Sequence, residues 1–219
     1  AKLGEPDLLK KAKSAFYGDG GSQVMRFDGS LGPVEPVAGA IVLDDLRKRG
    51  TVLQEGQDAA LLDLGDAVAC LEFRAKMNTL GAGVIRALQS ALELVQSRGM
   101  AGLVIGNDDP RTFTAGADLM MVGGLVQKGS WRELEQAVAT FQQCSMSLRF
   151  APFPVVIAPF GLTLGGGCEF SLHADVIQAH AELYMGLVEV GVGLIPGGGG
   201  TKELLFRFSR DLAAYEEAD

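Results

Sequence analysis

The chain has 219 residues, 47% of them hydrophobic and 21% charged, which is a composition that can fill the core of a globular domain. Its formal net charge of −8 argues against a general nucleic-acid binder, because such a protein would present a basic face. No apolar run approaches ~18 residues and the first residues do not resemble a signal peptide, so we expect no membrane partner.

The first 58 residues differ in pattern from the rest of the chain. The stretch "AFYGDGGSQVMRFDG" predicts two strands around an Asp-Gly-Gly turn, "GSLGPVEPVAG" predicts a linker, and "AIVLDDLRKRGTVLQEG" predicts a short helix with a connector. A section this small would struggle to bury a core of its own. We therefore expect residues 1–58 to be a linker or the tail of a preceding domain, and residues 59–219 to form the main domain.

From residue 59 onward strands and helices alternate, which predicts an α/β fold. "AALLDLGDAVACLEF" indicates a hairpin, and "MAGLVIGN", "FPVVIAPFG", "ADVIQAHA" and "AELYMG" indicate strands. Two stretches have the apolar period of a helix: "TLGAGVIRALQSALELVQSR", with Val84, Leu88, Ala91, Leu92 and Val95 on one face, and "SWRELEQAVATFQQCSMSLRF", which Ser130 opens as N-cap.

Three cysteines, Cys70, Cys144 and Cys168, are far apart and do not have the spacing of a metal site. We interpret them as reduced thiols of a cytoplasmic protein and expect no metal.

The stretch "GLTLGGGCEF" places three glycines between a strand that ends at Gly161 and a segment of helical composition. The first amides of a helix have no partner within it and carry the positive end of its dipole, so such a junction binds anions. Neither nucleotide pattern fits: "GGGCEF" and "GVGLIP" lack the last glycine of G-x-G-x-x-G, and "GGGGTK" is not a P-loop. "IPGGGGTKELLF" predicts a loop that leads into a helix, with Lys202 near an anion as one alternative.

Three stretches resemble the crotonase superfamily, which includes enoyl-CoA hydratases and isomerases. They are "TFTAGADL" (112–119), "FPVVIAPFGLTLGGGCEFSLHADV" (153–176) and "YMGLVEVGVGLIPGGGGTKEL" (184–204). The resemblance implies a crotonase-like spiral of repeated ββα units and an acyl-CoA substrate. By the same resemblance, the amides of Ala117 and Gly166 form an oxyanion hole for the thioester. Further residues are implied to bind substrate: Ala115, Gly116, Asp118, Gly165, Gly167 and Lys76, the last as a partner of coenzyme A phosphate.

Glu169 and Glu189 match the two acidic positions of the family and lie twenty residues apart. The resemblance implies that Glu169 activates water and that Glu189 exchanges a proton at the α-carbon. A pair of acids favours a hydratase, and the alternatives are an isomerase or a non-catalytic acyl-CoA-binding module. Ser171, His173 and Asp175 lie too close in sequence to work as a relay, so we interpret His173 as a packed or surface side chain. Asp118 is expected to cap the helix after its loop.

Members of this family continue into C-terminal helices and assemble as trimers, whereas few residues follow Glu189 here. We therefore expect a C-terminally truncated fragment. The resemblance implies a homo-oligomer, a trimer, but the C-terminal helices that would join its subunits are not expected here. Hydratase-like modules also occur fused to an NAD-dependent 3-hydroxyacyl-CoA dehydrogenase of fatty-acid β-oxidation. Residues 1–58 resemble the segment that connects the two parts in such proteins. We expect no cofactor in this chain: coenzyme A is part of the substrate, and NAD would bind only in a dehydrogenase part outside it.

Overall fold

The computed structural model describes residues 6–11, 16–18, 22–35 and 37–216. They belong to two compact units, one up to Ile41 and the other from Val42 onward. The first unit contains a short helix and a three-stranded antiparallel sheet: α1 (Asp7–Lys11), β1 (Tyr17–Gly18), β2 (Gln23–Met25) and β3 (Leu31–Pro33). The pairing of β1 with β2 confirms the predicted hairpin, whose Asp-Gly-Gly turn lies outside the described residues. The predicted linker is wrong where β3 forms, because a proline is tolerated on an edge strand.

The second unit is built around a six-stranded sheet in the order β11-β9-β7-β6-β5-β4. Strands β4, β5 and β6 are antiparallel, and β6, β7, β9 and β11 are parallel. The strands are β4 (Val52–Gln54), β5 (Ala59–Gly65), β6 (Val68–Phe73), β7 (Gly102–Gly106), β9 (Val155–Ile157) and β11 (Val176–Ile177). The hairpin predicted for residues 59–73 and the later strands are confirmed.

A second, smaller sheet has three parallel strands in the order β12-β10-β8. They are β8 (Thr112–Thr114), β10 (Leu162–Leu164) and β12 (Tyr184–Gly186). The helices of the unit are α2 (Leu43–Lys48), α3 (Ala82–Ser97), α4 (Leu119–Lys128), α5 (Trp131–Arg149), α6 (Gly166–His173) and α7 (Gly200–Glu216).

The chain passes between the two sheets three times in the same way. A strand of the large sheet (β7, β9 or β11) is followed by a strand of the small sheet (β8, β10 or β12), and then by a helix (α4, α6 or α7). This confirms the repeated ββα unit. Because each repeat adds one parallel strand to each sheet, the helices that follow β8, β10 and β12 start from the same end of the small sheet.

Helix α3 carries the main core of the unit. Val84, Leu88, Ala91 and Val95 are each 0% exposed, as the helical period predicted, and they belong to one cluster with strands β5, β6 and β7. Burial of this apolar stripe orients the helix against the large sheet.

Two short strands, β8 and β10, were not predicted, because each lies beside glycines that are typical of a turn. The local sequence of residues 112–119 predicts a loop, and this prediction is wrong for Thr112–Thr114, which form β8. The strand expected to run to Gly161 ends at Ile157, and β10 lies between it and the helix. Ser130 stands at the N-cap position of α5, but its side chain makes no capping hydrogen bond.

The expected boundary between residues 58 and 59 stays a prediction. In the second unit β4 pairs with β5, and Arg47 of α2 forms an ion pair with Glu72, which is 3% exposed on β6. Residues 42–58 thus pack on the sheet that also contains the later strands. Across the parts of the chain that the structure describes, no helix has both the length and the apolar character needed to cross a membrane.

Replacement of Leu88 by alanine should remove side-chain contacts that no rearrangement can fully replace, since Leu88 is 0% exposed in the centre of α3. We expect Leu88→Ala to lower the free energy of unfolding by about 3 kcal/mol, measured by urea denaturation. The matched control is Leu205→Ala, whose leucine is 65% exposed and should change stability by less than about 0.5 kcal/mol. Equal losses in the two variants would contradict this account of the core.

Candidate active site

Three segments that carry the predicted site residues leave the same end of the small sheet. Residues 115–117 follow β8, Gly165 and helix α6 follow β10, and a 3-10 turn at Glu189–Val192 comes shortly after β12. Because β10 lies between β8 and β12 and all three are parallel, their carboxyl ends share one edge. The edge brings together residues that are far apart in sequence.

The structure places the amides of Ala117 and Gly166 side by side. An ideal Cβ placed on Gly166 would lie 3.4 Å from the amide nitrogen of Ala117, and one placed on Gly116 would lie 3.1 Å from the amide nitrogen of Gly166. Gly166 is the first residue of α6, where backbone N–H groups have no partner within the helix. Two main-chain donors are thus available at one place, and a polarised oxygen could accept from both.

Two glycines make this close approach possible. Gly116 has a φ of +85°, and a Cβ there would lie 2.5 Å from the carbonyl oxygen of Leu164. Gly165 has a φ of +51°, and a Cβ there would lie 3.2 Å from Oε1 of Glu189. Any other residue would be strained at both positions and would push the two turns apart.

A set of hydrogen bonds supports the turn that contains Gly116. Thr114 donates from its hydroxyl to the carbonyl of Asn78 at 2.6 Å, and its hydroxyl oxygen accepts from the amide of Gly116 at 3.1 Å. The Asn78 side chain is buried and donates to the carbonyl of Thr112 at 3.0 Å. Met77 and Asn78 have φ of 52° and 50°, a conformation that Asn tolerates better than most residues. The turn before α3 thus fixes the turn after β8.

Glu169 lies on α6, one helical turn after Gly165, and is 3% exposed. Its Oε1 accepts hydrogen bonds from the amides of Gly198 at 2.8 Å and Gly200 at 3.0 Å. Gly200 is the first residue of α7, so the carboxylate occupies the anion-binding end of that helix. The loop before α7 therefore does hold an anion, and the anion is a side chain of this protein.

The environment of Glu169 acts on its pKa in two directions. Burial is the largest effect and raises the pKa above the ordinary value for a glutamate, and the charge of Glu189 raises it further. The amides of Gly200 and Gly198 act against this rise, because they stabilise the ionised form. The net result is a raised pKa, as is expected of a group that takes and returns a proton near neutral pH.

Glu189 is half-buried at the start of its 3-10 turn, with Oε1 turned toward Gly165. Both of its carboxylate oxygens are shielded from solvent, and within the described residues neither has a hydrogen-bond partner. A buried carboxylate without partners is costly unless a ligand supplies them. Both glutamates thus lie close to Gly165, which precedes the amide of Gly166.

The remaining predicted residues have more ordinary surroundings. Asp118 caps α4, as expected, because its Oδ1 accepts from the amides of Met120 and Met121 at 3.0 and 3.1 Å. Ala115 is half-buried and donates from its amide to the carbonyl of Met77 at 3.1 Å. Gly167 lies in the first turn of α6 against the side chain of Thr114.

The sequence suggests two lysines, Lys76 and Lys202, as partners of an anion, and the surroundings of their side chains differ. Lys76 is exposed at the start of the 3-10 turn that supports Gly116. Lys202 has its Nζ 2.7 Å from Oε1 of Glu203, so its charge is already paired inside the protein.

Sequence reasoning missed the groups that hold the site in place. The missed residues are Asn78 and Thr114, which fix the first turn, Gly198 and Gly200, which bind Glu169, and Phe141, whose ring packs against Gly166. The run "PGGGG" before α7 was the one available signal, since amides at a helix start bind anions. Nothing in the local sequence indicates that Glu169 is that anion.

Several known proteins are similar to this chain in sequence. The family described as "Enoyl-CoA hydratase/isomerase" matches residues 64–215. A Bacillus subtilis protein with the description "Probable 3-hydroxyacyl-CoA dehydrogenase" is 42% identical over 205 residues, which are 93% of this chain and 26% of that protein. A Rickettsia felis protein, whose description names a fatty acid oxidation complex trifunctional enzyme, is 32% identical over 169 residues, or 76% of this chain and 23% of that protein.

The fold has a solved counterpart in an enoyl-CoA hydratase from Bacillus anthracis. The two share a TM-score of 0.62 and 26% sequence identity, over 68% of this chain and 57% of that one. The chain spans about a quarter of the length of the two curated relatives.

Removal of the charge of Glu189 should lower the pKa of Glu169. In Glu189→Gln the like charge that opposes ionisation of Glu169 is gone, so its carboxyl should lose its proton at lower pH than in the unaltered protein. The measurement is a pH titration of the Glu169 side-chain carbon by ¹³C NMR. Glu182→Gln, which changes an exposed residue, is the control and should leave that pKa in place. A pKa that stays unchanged or rises in Glu189→Gln would show that the two carboxylates do not interact.

Proposed function

Since the chain belongs to the enoyl-CoA hydratase/isomerase family, we propose that it is a hydratase of trans-2-enoyl-CoA thioesters. It would add water across the double bond and give a 3-hydroxyacyl-CoA. Its α/β fold is the crotonase fold, which the Bacillus anthracis structure shares. A fold does not by itself fix a reaction, so the proposal rests on the site.

The observation that carries the proposal is the close approach of the turn at residues 116–117 to the amide of Gly166. A thioester becomes reactive at its β-carbon when negative charge on the carbonyl oxygen is stabilised. Two preorganised N–H groups can do this without an ionisable side chain, and each is typically worth ~3 kcal/mol in the transition state. We assign Ala117 and Gly166 as the donors, with Gly116 and Gly165 shaping the space in front of them.

Glu169 is proposed to take a proton from water as the oxygen attacks the β-carbon. Its raised pKa supports this role, because a base whose pKa lies closer to neutral pH transfers protons more effectively in both directions. The amides of Gly198 and Gly200 occupy Oε1. We therefore assign the other oxygen, Oε2, to the water.

Glu189 is proposed to supply the proton that the α-carbon receives. As the C–O bond forms at the β-carbon, the electron pair of the double bond moves toward the thioester and is held as an enolate by the two amides. The α-carbon then takes a proton from Glu189, which enters this step protonated and leaves it as a carboxylate, while Glu169 enters as a carboxylate and ends protonated. Loss of that proton from Glu169 to solvent and uptake of one by Glu189 return the pair to its starting state. Support comes from the unpartnered oxygens of Glu189, which leave its carboxyl free to face the substrate.

Coenzyme A would enter only as part of the substrate, and we propose Lys76 as a partner of its phosphates, since this exposed cation lies in the turn that supports Gly116. We further propose that the chain is the hydratase part of a longer β-oxidation enzyme with an NAD-dependent dehydrogenase elsewhere. The 42% identity to a protein described as a 3-hydroxyacyl-CoA dehydrogenase supports this. A trimeric assembly stays a prediction.

The direct test is turnover of crotonyl-CoA, followed by loss of the absorbance of the conjugated thioester. Glu169→Gln and Glu189→Gln should each lower kcat by about 10²- to 10⁴-fold with KM largely kept, because each removes a proton-transfer group and retains the side-chain shape. Glu182→Gln is the exposed control. Near-normal turnover in both active-site variants would overturn the assignment.

The same assay separates the alternatives. A gain of conjugated absorbance with a 3-enoyl-CoA, and no loss with crotonyl-CoA, would replace the hydratase with an isomerase. Binding of both thioesters without any change in absorbance would indicate a passive acyl-CoA-binding module.

Replacement of Gly116 should damage the amide pair specifically. In Gly116→Ala the new Cβ would collide with the Leu164 carbonyl and press on the amide of Gly166, so we expect kcat/KM for crotonyl-CoA to fall by at least about 100-fold. Gly129→Ala is the matched control, because Gly129 also has a positive φ, of +65°, but its nearest neighbour to a Cβ lies 3.9 Å away. Equal activity losses in the two variants would mean that backbone strain, and not the amide pair, is responsible.

A further inference from the structure

Four ionisable side chains meet where α6 packs against α5 and α7: Arg149, His173, Lys202 and Glu203, hereafter the buried ion cluster. His173 and Glu203 are each 1% exposed, although charged or titratable side chains are seldom buried so deeply. The reaction proposed above uses none of the four. Arg149 and Lys202 keep 27% and 43% of their side chains exposed, so it is the burial of His173 and Glu203 that calls for a role of another kind.

His173 faces an acceptor with each ring nitrogen. Its Nδ1 lies 2.7 Å from the backbone carbonyl oxygen of Glu169, and because a carbonyl can only accept, Nδ1 carries a hydrogen and donates. Its Nε2 lies 3.7 Å from Oε1 of Glu203. Burial is the largest effect on the pKa of His173 and lowers it, whereas the Glu169 carbonyl and the Glu203 charge oppose this.

Glu203 lies in the first turn of α7, and its backbone amide donates to the carbonyl of Gly199 at 3.1 Å. Two cations compensate its carboxylate: Nζ of Lys202 at 2.7 Å from Oε1, and Nη1 of Arg149 at 3.3 Å from Oε2. Burial by itself would raise the pKa of Glu203, but the bond from Lys202 and the charges of His173 and Arg149 outweigh it and lower the pKa. Glu203 is therefore ionised and fixed at the start of α7.

The buried ion cluster and Glu169 are joined at two points. At one, the imidazole of His173 binds the carbonyl of Glu169. At the other, the loop that ends in Glu203 presents the amides of Gly198 and Gly200 to Oε1 of Glu169. His173 thus binds the backbone of Glu169 and lies 3.7 Å from Glu203 without a hydrogen bond to it, while the loop before Glu203 binds the Glu169 carboxylate.

We propose that His173 and Glu203 are positioning residues for Glu169. They hold the first turn of α7 against α6, so that the two loop amides stay on Oε1 and leave the other carboxylate oxygen free. Arg207 of α7 also links α7 to the end of α6, because its guanidinium donates to the carbonyls of Leu172 and Ala174. The part of the inference that concerns catalysis rests on the proposed hydratase function. The part that concerns the position of Glu169 does not depend on that function.

The test uses variants of the whole chain that alter the cluster without touching Glu169. His173→Leu removes the donor to the Glu169 carbonyl, and His173→Asn restores a donor near the position of Nδ1. Glu203→Gln keeps the shape and removes the charge. Glu135→Gln, an exposed change on α5, is the control.

The first readout is independent of turnover. In His173→Leu and Glu203→Gln, the amide proton signals of Gly198 and Gly200 in ¹H–¹⁵N spectra should move upfield, as expected for weakened hydrogen bonds. The pKa of Glu169 by ¹³C NMR should rise further, since these amides are the groups that lower it. Unchanged amide signals and an unchanged Glu169 pKa in both variants would overturn the proposal, whether or not the protein is a hydratase.

The second readout is crotonyl-CoA hydration. We expect kcat to fall at least about 10-fold in His173→Leu and in Glu203→Gln, with KM changed less than about twofold, and His173→Asn to recover most of the loss. If the amide signals change but kcat does not, His173 and Glu203 have a structural role only. That result would overturn the claim that they position Glu169 for catalysis. Absence of turnover in the unaltered chain would reject the proposed function and leave the spectroscopic test decisive. Should His173→Leu fail to fold, the isosteric Glu203→Gln decides alone.

Discussion

The parallel pairing of β8, β10 and β12 is the constraint on which the site depends. Each strand has only three residues, yet their common direction puts the ends of three distant segments at one edge of a small sheet. One segment brings an amide donor, the next a second donor with a carboxylate, and the third another carboxylate. The β10 register with its neighbours sets how closely the turns approach, and at Gly116 that approach leaves no room for a side chain. The chemistry of the site is thus a consequence of strand order.

Glu169 shows how an ionisable carboxylate can be kept buried at this edge of the small sheet. Its burial destabilises the ionised form, and the nearby Glu189 adds to this, while the start of α7 offsets part of the cost through two amides. Full compensation would leave an ordinary carboxylate with little tendency to accept a proton. The structure leaves the compensation incomplete at Glu169, whereas two cations lie beside the carboxylate of Glu203, which takes no direct part in the proposed reaction. Two buried glutamates on the neighbouring helices α6 and α7 therefore differ in how far their charge is compensated.

Much of the fold could be predicted because it follows from local patterns. The period of α3, the hairpin of β5 and β6, and the glycine-rich start of α6 each reflect the demands of a single element. The strands β3, β4, β8 and β10 could not be predicted, because they are too short for a periodic signal or contain residues such as Pro33 that are typical of loops. At the site, the identities of Ala117, Gly166, Glu169 and Glu189 came from a resemblance, and the structure brings them together. The partners of Glu169 were beyond reach, since their contacts join residues 29 and 31 positions apart through backbone groups that have no sequence signature.

The dependence of Glu169 on α7 also has a consequence for the order in which the protein is made. Helix α6 leaves the ribosome before the loop that satisfies its carboxylate, and until residues 198–203 follow, Glu169 and His173 have neither the amides nor the counter-charges that make their burial tolerable. The nascent chain is therefore expected to keep this helix solvated and loosely attached while the large sheet already forms. Docking of α7 is therefore expected to complete the surroundings of Glu169 late, after the strands of both sheets have been made.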